Sequence, residues 1–133
     1  MNDGVTTLYF AAQRGHLEIL QYIANHLKDK NPPMNDGCTP LHSAAYNGHF
    51  EIVKYLISHL KDKNPVDKNG QTPLHHASGS GHLEIVKYIA KHLKNKNPPN
   101  NEGITPLHCA AEFGHSNVIK YMLTFLGKSR FLV

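Results

Sequence analysis

Apolar residues recur at intervals of three and four along the chain, which is typical of amphipathic helices. The clearest stripe lies between Phe50 and Leu60: Phe50, Ile52, Val53, Leu56, Ile57 and Leu60. A shorter stretch precedes it, in which Ala44 and Ala45 follow Leu41 by about one turn. This pattern predicts a short helix with a face of small residues, followed by a longer helix with one buried stripe.

The two-helix pattern occurs four times. The tetrapeptide Thr-Pro-Leu-His begins at Thr39, Thr72 and Thr105, at a spacing of 33 residues, and a weaker copy begins at Thr6. Repeats of this period indicate a solenoid. We expect one domain, residues 1–133, made of repeats 1–33, 34–66, 67–99 and 100–132.

Each repeat carries signals for where its helices begin and end. The threonine can cap the first helix, because its hydroxyl can accept a backbone N–H two or three residues on, and the following proline fits the first helical position. A glycine that can take a left-handed conformation ends this helix in every repeat, at Gly15, Gly48, Gly81 and Gly114. An Asn-Pro pair follows the second helix, and a turn signal such as Asp36-Gly37 predicts a hairpin loop before the next repeat.

The pattern G-x-TPLH-x-A-A-x-x-GH-x-x-I-V-x-x-L, written in Gly37 to Leu56, resembles the ankyrin repeat, and the resemblance covers the whole chain. It implies an all-α repeat solenoid of four stacked helix-turn-helix units with projecting β-hairpin loops. It also implies a concave face that binds another protein.

The sequence departs from the family pattern at the end of the second helix. Leu27, Leu60, Leu93 and Leu126 stand where ankyrin repeats usually have a glycine. Because Leu60 continues the stripe of Leu56, we expect about one extra turn, ending near Lys30, Lys63 and Lys96. Repeat one also lacks the proline and histidine of its motif, and repeat three has Ser78-Gly79-Ser80 in its first helix.

Composition agrees with a folded intracellular domain. The content of hydrophobic residues is 40%, and no apolar run approaches the roughly 20 residues that cross a bilayer. Residues 1–15 lack the positively charged start and apolar stretch of a secretory signal, so we expect none. We therefore expect no membrane insertion.

Cys38 and Cys109 lie two repeats apart, too far for a disulfide, so both should be free thiols. Free thiols favour a reducing compartment, intracellular and cytoplasmic.

Eleven histidines raise the question of a metal site. Most have a place in the repeat: the TPLH motif, the Gly-His turn or the second helix. The resemblance implies that the TPLH histidines bond backbone and threonine groups between neighbouring units. His75 and His76 cannot jointly form a site, because adjacent residues on a helix do not face each other. We expect no metal and no cofactor, although His76 has no assigned place.

The net charge of +4 is concentrated near the ends of the second helices, at Lys28, Lys30, Lys61, Lys63, Lys94 and Lys96. One interpretation is an electrostatic surface for an acidic protein, lipid or nucleic acid. We favour solvated lysines that complement the helix dipole, since no arginine cluster or exposed aromatic row accompanies them. We expect no nucleic acid partner.

No catalytic motif is present, so we expect a non-enzymatic protein-binding module whose partner contacts residues that vary between repeats. Tyr46 and Phe113 are the expected anchors, and Gly79-Ser80 should leave a notch between them. The resemblance places the full set on hairpin tips and first helices: Gln13, Arg14, Asn35, Asp36, Cys38, Tyr46, Asn47, Lys68, Asn69, Gln71, Ser80, Asn101, Glu102, Ile104, Glu112 and Phe113.

The alternative is a structural spacer or scaffold segment of a longer ankyrin array, with no dedicated partner. Its support is the very apolar last helix, which includes Val118, Met122 and Phe125. Such a surface indicates further repeats, self-association of this chain, or a cap formed by residues 127–133.

Overall fold

The computed structural model describes residues 3–126. Within this range the chain forms four pairs of helices: α1 (Asp3–Arg14), α2 (Leu17–Ala24), α3 (Pro40–Asn47), α4 (Phe50–His59), α5 (Pro73–Ser80), α6 (Leu83–Ala90), α7 (Pro106–Glu112) and α8 (Ser116–Leu126). Each pair contains one first helix and one second helix, and each pair packs against the next. The all-α solenoid predicted from the sequence is confirmed.

The Thr-Pro-Leu-His motif begins a first helix in repeats two, three and four, as predicted. Thr39 Oγ1 accepts a hydrogen bond from the His42 N–H at 3.2 Å, and His42 Nδ1 accepts one from the Thr39 N–H at 3.1 Å. The same reciprocal cap forms at Thr72 and at Thr105. Because Nδ1 is an acceptor, the neutral ring carries its proton on Nε2 and can donate outward.

Two sets of histidines join neighbouring repeats. His42 Nε2 lies 2.9 Å from the Gln71 carbonyl oxygen, in the next repeat. The Gly-His histidines bond in the other direction, since His82 Nε2 lies 3.0 Å from the Tyr46 backbone carbonyl oxygen in the preceding repeat. The bonds expected for the TPLH histidines are therefore present at His42. The backward bonds of the Gly-His set were not anticipated from the sequence.

Small residues bring the first helices close together. Ala44, Ala45, Ala77 and Ala110 have no exposed surface, and Leu41 and Leu74 are equally buried beside them. The first helices contact one another more extensively than the second helices do. The first helices are therefore the more closely packed layer of the stack. We call the side that they form with the hairpins the concave side, as the family resemblance implies.

The second helices end earlier than the sequence predicted. We expected them to continue to Lys30, Lys63 and Lys96, but α2 ends at Ala24, α4 at His59 and α6 at Ala90. The lysines supply the reason, because each ammonium group turns back to a carbonyl six residues earlier. These Nζ–O distances are 3.0 Å to Ala24, 2.7 Å to Ile57 and 2.6 Å to Ala90. Carbonyls that another turn would have bonded are thus satisfied by charged side chains.

The side chain of the asparagine in each Asn-Pro pair holds the loop between repeats in place. Asn31 Oδ1 accepts a hydrogen bond from the Leu41 N–H at 2.8 Å, and Asn97 Oδ1 accepts one from the Leu107 N–H at 3.0 Å. Asn64 does the same for Leu74 at 3.3 Å. The side chain therefore ties the end of one repeat to the first helix of the next.

The loops before α3, α5 and α7 are tight hairpin turns. Asp67 N–H donates to the Gln71 carbonyl at 2.9 Å to close one of them, and Lys68 N–H donates to the Asp36 carbonyl of the preceding hairpin at 3.0 Å. No strand is assigned anywhere in residues 3–126. The hairpins are thus held by hydrogen bonds within each turn and by hydrogen bonds to the neighbouring hairpin.

Repeat one has no such loop in the described range. Helix α1 already begins at Asp3, three residues before the weak motif copy at Thr6. The other first helices begin at a proline. In repeat one Thr7 occupies the position of that proline, where it can continue a helix. Its hydroxyl donates a hydrogen bond to the Asp3 carbonyl at 2.6 Å. The loop-helix-turn-helix order predicted for every repeat is therefore wrong for repeat one.

Both cysteines are free thiols, as predicted. Among the described helices, none is both long enough and apolar enough to span a bilayer.

Candidate partner-binding surface

Tyr46 separates two grooves on the concave side. It lies near the C-terminal end of α3, where 57% of its surface is exposed. Its ring stands edge-on to the His76 ring, with centroids 5.9 Å apart. The neighbouring helix α5 therefore supports the tyrosine from one side while the other side is open.

The first of these two grooves, which we call the upstream groove, lies between α1 and α3 and has a volume of about 280 Å³. Four of its lining residues were predicted as partner contacts: Gln13, Cys38, Tyr46 and Asn47. Four others were not: Tyr9, His42, Ser43 and His76. Most of these side chains are polar, so the upstream groove suits a polar or small group.

The second hollow, the downstream groove, lies between α5 and α7 and has a volume of about 350 Å³. Gly79 keeps it open, because a Cβ atom there would lie 3.7 Å from the Phe113 ring and take up space between the helices. Phe113 forms one wall and is 62% exposed. Tyr46, Gln71, Ser80 and Phe113, all predicted contacts, line this groove together. It occupies the place of the predicted notch.

The other predicted contacts lie away from the two grooves. Asn35 and Asp36 border a hollow of about 310 Å³ with Tyr9 and Met34. Lys68 borders a cavity of about 590 Å³ between the hairpins and the ends of the second helices. The remaining six line none of these four hollows: Arg14, Asn69, Asn101, Glu102, Ile104 and Glu112.

A family model described as ankyrin repeats in three copies matches residues 1–67 and again residues 58–129. The chain belongs to the ankyrin repeat family. Ankyrin repeats generally mediate protein–protein interactions and are typically non-enzymatic. No curated protein matches the chain significantly.

Several hairpin residues of this ankyrin stack also hold neighbouring repeats in register. Asn101 Nδ2 donates to the Lys68 carbonyl at 2.9 Å, and Asn100 Nδ2 donates to Gln71 Oε1 at 2.7 Å. Within one hairpin, Asp36 Oδ1 accepts a hydrogen bond from the Cys38 N–H at 2.9 Å and shapes the turn. These contacts fix the position of the hairpin tips relative to the grooves.

Burial keeps the histidines beside the grooves uncharged. It lowers the pKa of His42 and of His75, and it lowers the pKa of His76 to about 4, with nearby His42 adding to the effect. Burial, together with the neighbouring carboxylates of Asp36 and Asp67, raises the pKa of Cys38 to about 11. At neutral pH these side chains are neutral imidazoles and a thiol. A neutral surface favours uncharged partner side chains.

His42 and His75 line the grooves from the repeating Thr-Pro-Leu-His motif, but other unanticipated groove residues occupy repeat positions that vary along the ankyrin stack. The residue directly after the Thr-Pro-Leu-His motif is Ser43, His76 or Cys109, and each of these lines a groove. Tyr46 and Gly79 likewise share one position. Variation between repeats at a position facing the concave side was therefore the signal that could have identified them.

Proposed function

We propose that this ankyrin stack binds an extended segment of a partner protein along its concave side, across Tyr46. The observation that carries the proposal is the exposed Tyr46 ring between two grooves lined by side chains that differ from repeat to repeat. Repeating positions hold the stack together, whereas these positions are free to specify a partner.

The two grooves favour different side chains. In the downstream groove the exposed rings of Tyr46 and Phe113 form two walls, so an apolar or aromatic side chain would bury the most surface there. In the upstream groove Gln13, Ser43 and Asn47 offer polar groups, which suits a polar or small side chain. The proposed ligand is thus a segment with one apolar anchor and one polar side chain nearby.

The hairpin tips would form the rim of this interface. Asn35, Asp36, Lys68, Asn69 and Glu102 are exposed and carry mixed charge. A polar rim around an aromatic centre is the usual organisation of a protein interface. Contacts at the rim should affect orientation more than affinity, because exposed charge pairs contribute little.

Non-enzymatic action is part of the proposal. His42 and His75 lie beside the grooves, but both ring nitrogens of each are engaged in hydrogen bonds within and between repeats. Such bonds favour a structural role for these histidines.

The test begins with selection of binders from a random peptide library displayed on phage, with the purified chain as target. Affinities of the selected peptides are then measured for the parent and for the double variant Tyr46→Ala plus Phe113→Ala. We expect a loss of about 30-fold or more, which corresponds to about 2 kcal/mol for an interface anchor. Circular dichroism and denaturant melts should show the double variant folded, because both rings are largely exposed.

The matched control is Tyr22→Ala, which removes a tyrosine that is 71% exposed on the second-helix side. It should leave peptide affinity unchanged. Peptides that bind the double variant as well as the parent would show that the concave assignment is wrong. A library that yields no peptide at all would favour the scaffold alternative.

A further inference from the structure

Three side chains from two neighbouring hairpins and helix α5 converge beside the upstream groove. They are Cys38, Asp67 and His76, whose Sγ, carboxylate oxygen and ring nitrogen all lie within 4.8 Å of one another. Asp67 Oδ2 is 4.0 Å from Cys38 Sγ and 3.9 Å from His76 Nε2. Sulfur, carboxylate oxygen and imidazole nitrogen are the three kinds of donor that zinc accepts.

The carboxylate is held in place by the backbone. Asp67 Oδ1 accepts hydrogen bonds from the Asn69 N–H at 2.9 Å and from the Gln71 N–H at 3.0 Å. This leaves Oδ2 directed at the other two side chains. Only 9% of the Asp67 side chain is exposed, so the group is set deep at the base of its hairpin.

The imidazole nitrogen has an unusual environment. His76 Nε2 is buried and has no hydrogen-bond partner within the described residues. Buried polar atoms without a partner are rare in folded proteins and call for an explanation. The distance of 3.9 Å to Asp67 is too long for a hydrogen bond.

We propose that Cys38, Asp67 and His76 form a zinc-binding site that joins repeat two to repeat three. In a tetrahedral zinc site with bonds of about 2.0 to 2.3 Å, ligand atoms lie about 3.3 to 3.7 Å apart. The observed spacings exceed these by a few tenths of an ångström to about 1 Å, which side-chain rotation can close. Magnesium and calcium fit less well, since both prefer oxygen ligands to a thiolate and an imidazole.

The binding step releases one proton. Cys38 loses its thiol proton to solvent as the sulfur–zinc bond forms, while neutral His76 and the Asp67 carboxylate bind without losing a proton. Cys38 and His76 both line the upstream groove. The fourth zinc position is therefore reached from that groove, where water or an acidic or histidine side chain of a partner would complete the tetrahedron.

Zinc at this site would stabilise the stack without being needed for folding, because the core and the histidine bonds between repeats form independently of the cluster. A ligand that binds only the folded state raises its melting temperature in proportion to the logarithm of ligand concentration. The site therefore predicts a melting temperature that rises with added zinc and returns to its starting value when a chelator is added.

The test uses the tag-free chain, first stripped of metal with a chelator and kept reduced. Cobalt(II) replaces zinc as a spectroscopic probe, and sulfur-to-cobalt charge-transfer absorption should appear with one equivalent. Competition with a zinc-binding dye then gives the zinc affinity of the parent and of Cys38→Ser, His76→Gln and Asp67→Asn. Each substitution should weaken zinc binding by more than about 100-fold, above the 10- to 100-fold loss seen when an outer hydrogen-bonding partner is removed.

Controls separate this site from the other thiol and from the exposed histidines. Cys109→Ser removes the second cysteine, which lies outside the cluster, and His92→Gln removes an exposed histidine. Both should keep the parent's zinc affinity and cobalt spectrum. Asp67→Asn retains the Oδ1 acceptor, so it should remain folded even if another variant does not.

The proposal is overturned if cobalt produces no sulfur charge-transfer absorption in the parent. It is equally overturned if folded Asp67→Asn and His76→Gln bind zinc as tightly as the parent does. Zinc binding that disappears with His92→Gln would identify the metal as bound to surface histidines only.

Discussion

His42 Nε2 lies 2.9 Å from the carbonyl oxygen of Gln71, 29 residues further along the chain. The same ring caps its own helix through Nδ1, so one buried side chain both begins a helix and fixes the neighbouring hairpin. His75 repeats this arrangement with the Ile104 carbonyl at 2.8 Å. Each motif therefore couples the stability of neighbouring repeats, so a mutation in one repeat should also destabilise the repeats next to it.

Leu74→Ala tests this coupling. Leu74 is wholly buried between the helix layers, so its truncation should lower the free energy of unfolding by about 2 to 5 kcal/mol. Denaturant melts followed by circular dichroism give the value. Leu123→Ala is the control, because 38% of Leu123 is exposed and its truncation should cost less. A Leu74→Ala midpoint equal to that of the parent would rule out a core role.

Acid should destabilise the stack. Burial lowers the pKa of His42, His75 and His76 in the folded chain, that of His76 from 6.5 to about 4. Below pH 6.5 the unfolded chain therefore binds protons that the folded chain does not, so the free energy of unfolding falls as pH is lowered toward 4. His76 alone should account for a loss on the order of 2 to 3 kcal/mol.

Urea melts between pH 7.5 and 4, in buffer containing a chelator, measure this loss. His76→Gln should flatten the pH dependence, whereas His92→Gln, at an exposed site, should retain the slope of the parent. Equal slopes for parent and His76→Gln would contradict the assignment of the loss to His76.

The beginnings of the first helices in repeats two to four could be predicted from the sequence, whereas the ends of the second helices could not. Thr72 and His75 cap their helix through atoms only three residues apart, so a local motif contains all the information. The end of α4 depends on Lys63, whose ammonium group returns to the Ile57 carbonyl. Leu60 continues the apolar stripe whether the helix extends for another turn or ends with a lysine cap. Periodicity therefore cannot distinguish these two structures.

The grooves were predictable in part. Tyr46, Ser80 and Phe113 stood out because they differ from their counterparts in other repeats, and the structure places them around one groove. The meeting of Cys38 with His76 was not predictable, since it depends on the register between two hairpins and a helix. That register is fixed by contacts such as the Lys68 N–H to the Asp36 carbonyl, which the sequence pattern does not reveal.

Lys63→Met tests the lysine cap. The Lys63 ammonium bonds the Ile57 carbonyl at 2.7 Å in a partly buried position, and methionine keeps about the length of the lysine's aliphatic stem while removing the charge and the donors. We expect a loss of about 1.5 to 3 kcal/mol in the free energy of unfolding, typical of a hydrogen bond to a charged group. Lys61→Met is the matched control, because Lys61 is exposed two residues earlier and its loss should change stability by less than about 0.5 kcal/mol. Similar melts for the two variants would mean that the bond to Ile57 does not stabilise the helix end.

In the part of the chain that the structure describes, no further repeat packs against the last helix pair, α7 and α8. A Cβ atom on Gly48 would lie 2.6 Å from His82 of the next repeat, but a Cβ atom on Gly114 would meet no atom of residues 3–126 within 4 Å. Leu123 is 38% exposed on the same terminal pair. The predicted cap over this surface lies in residues 127–133, outside the described residues.

Deletion of residues 128–133 tests whether these residues cover the terminal surface. Removing Phe131, Leu132 and Val133 should leave more apolar surface in contact with water, and apolar patches of this kind favour association. Sedimentation velocity should then show an average sedimentation coefficient that rises with protein concentration more steeply than in the parent. Adding Leu123→Lys to the deletion should reverse this rise, because a charge at the centre of the patch opposes contact between copies. A deletion variant that remains monomeric and as stable as the parent would show that the terminal helix pair needs no cover, which would remove the main support for a continuing array or for self-association.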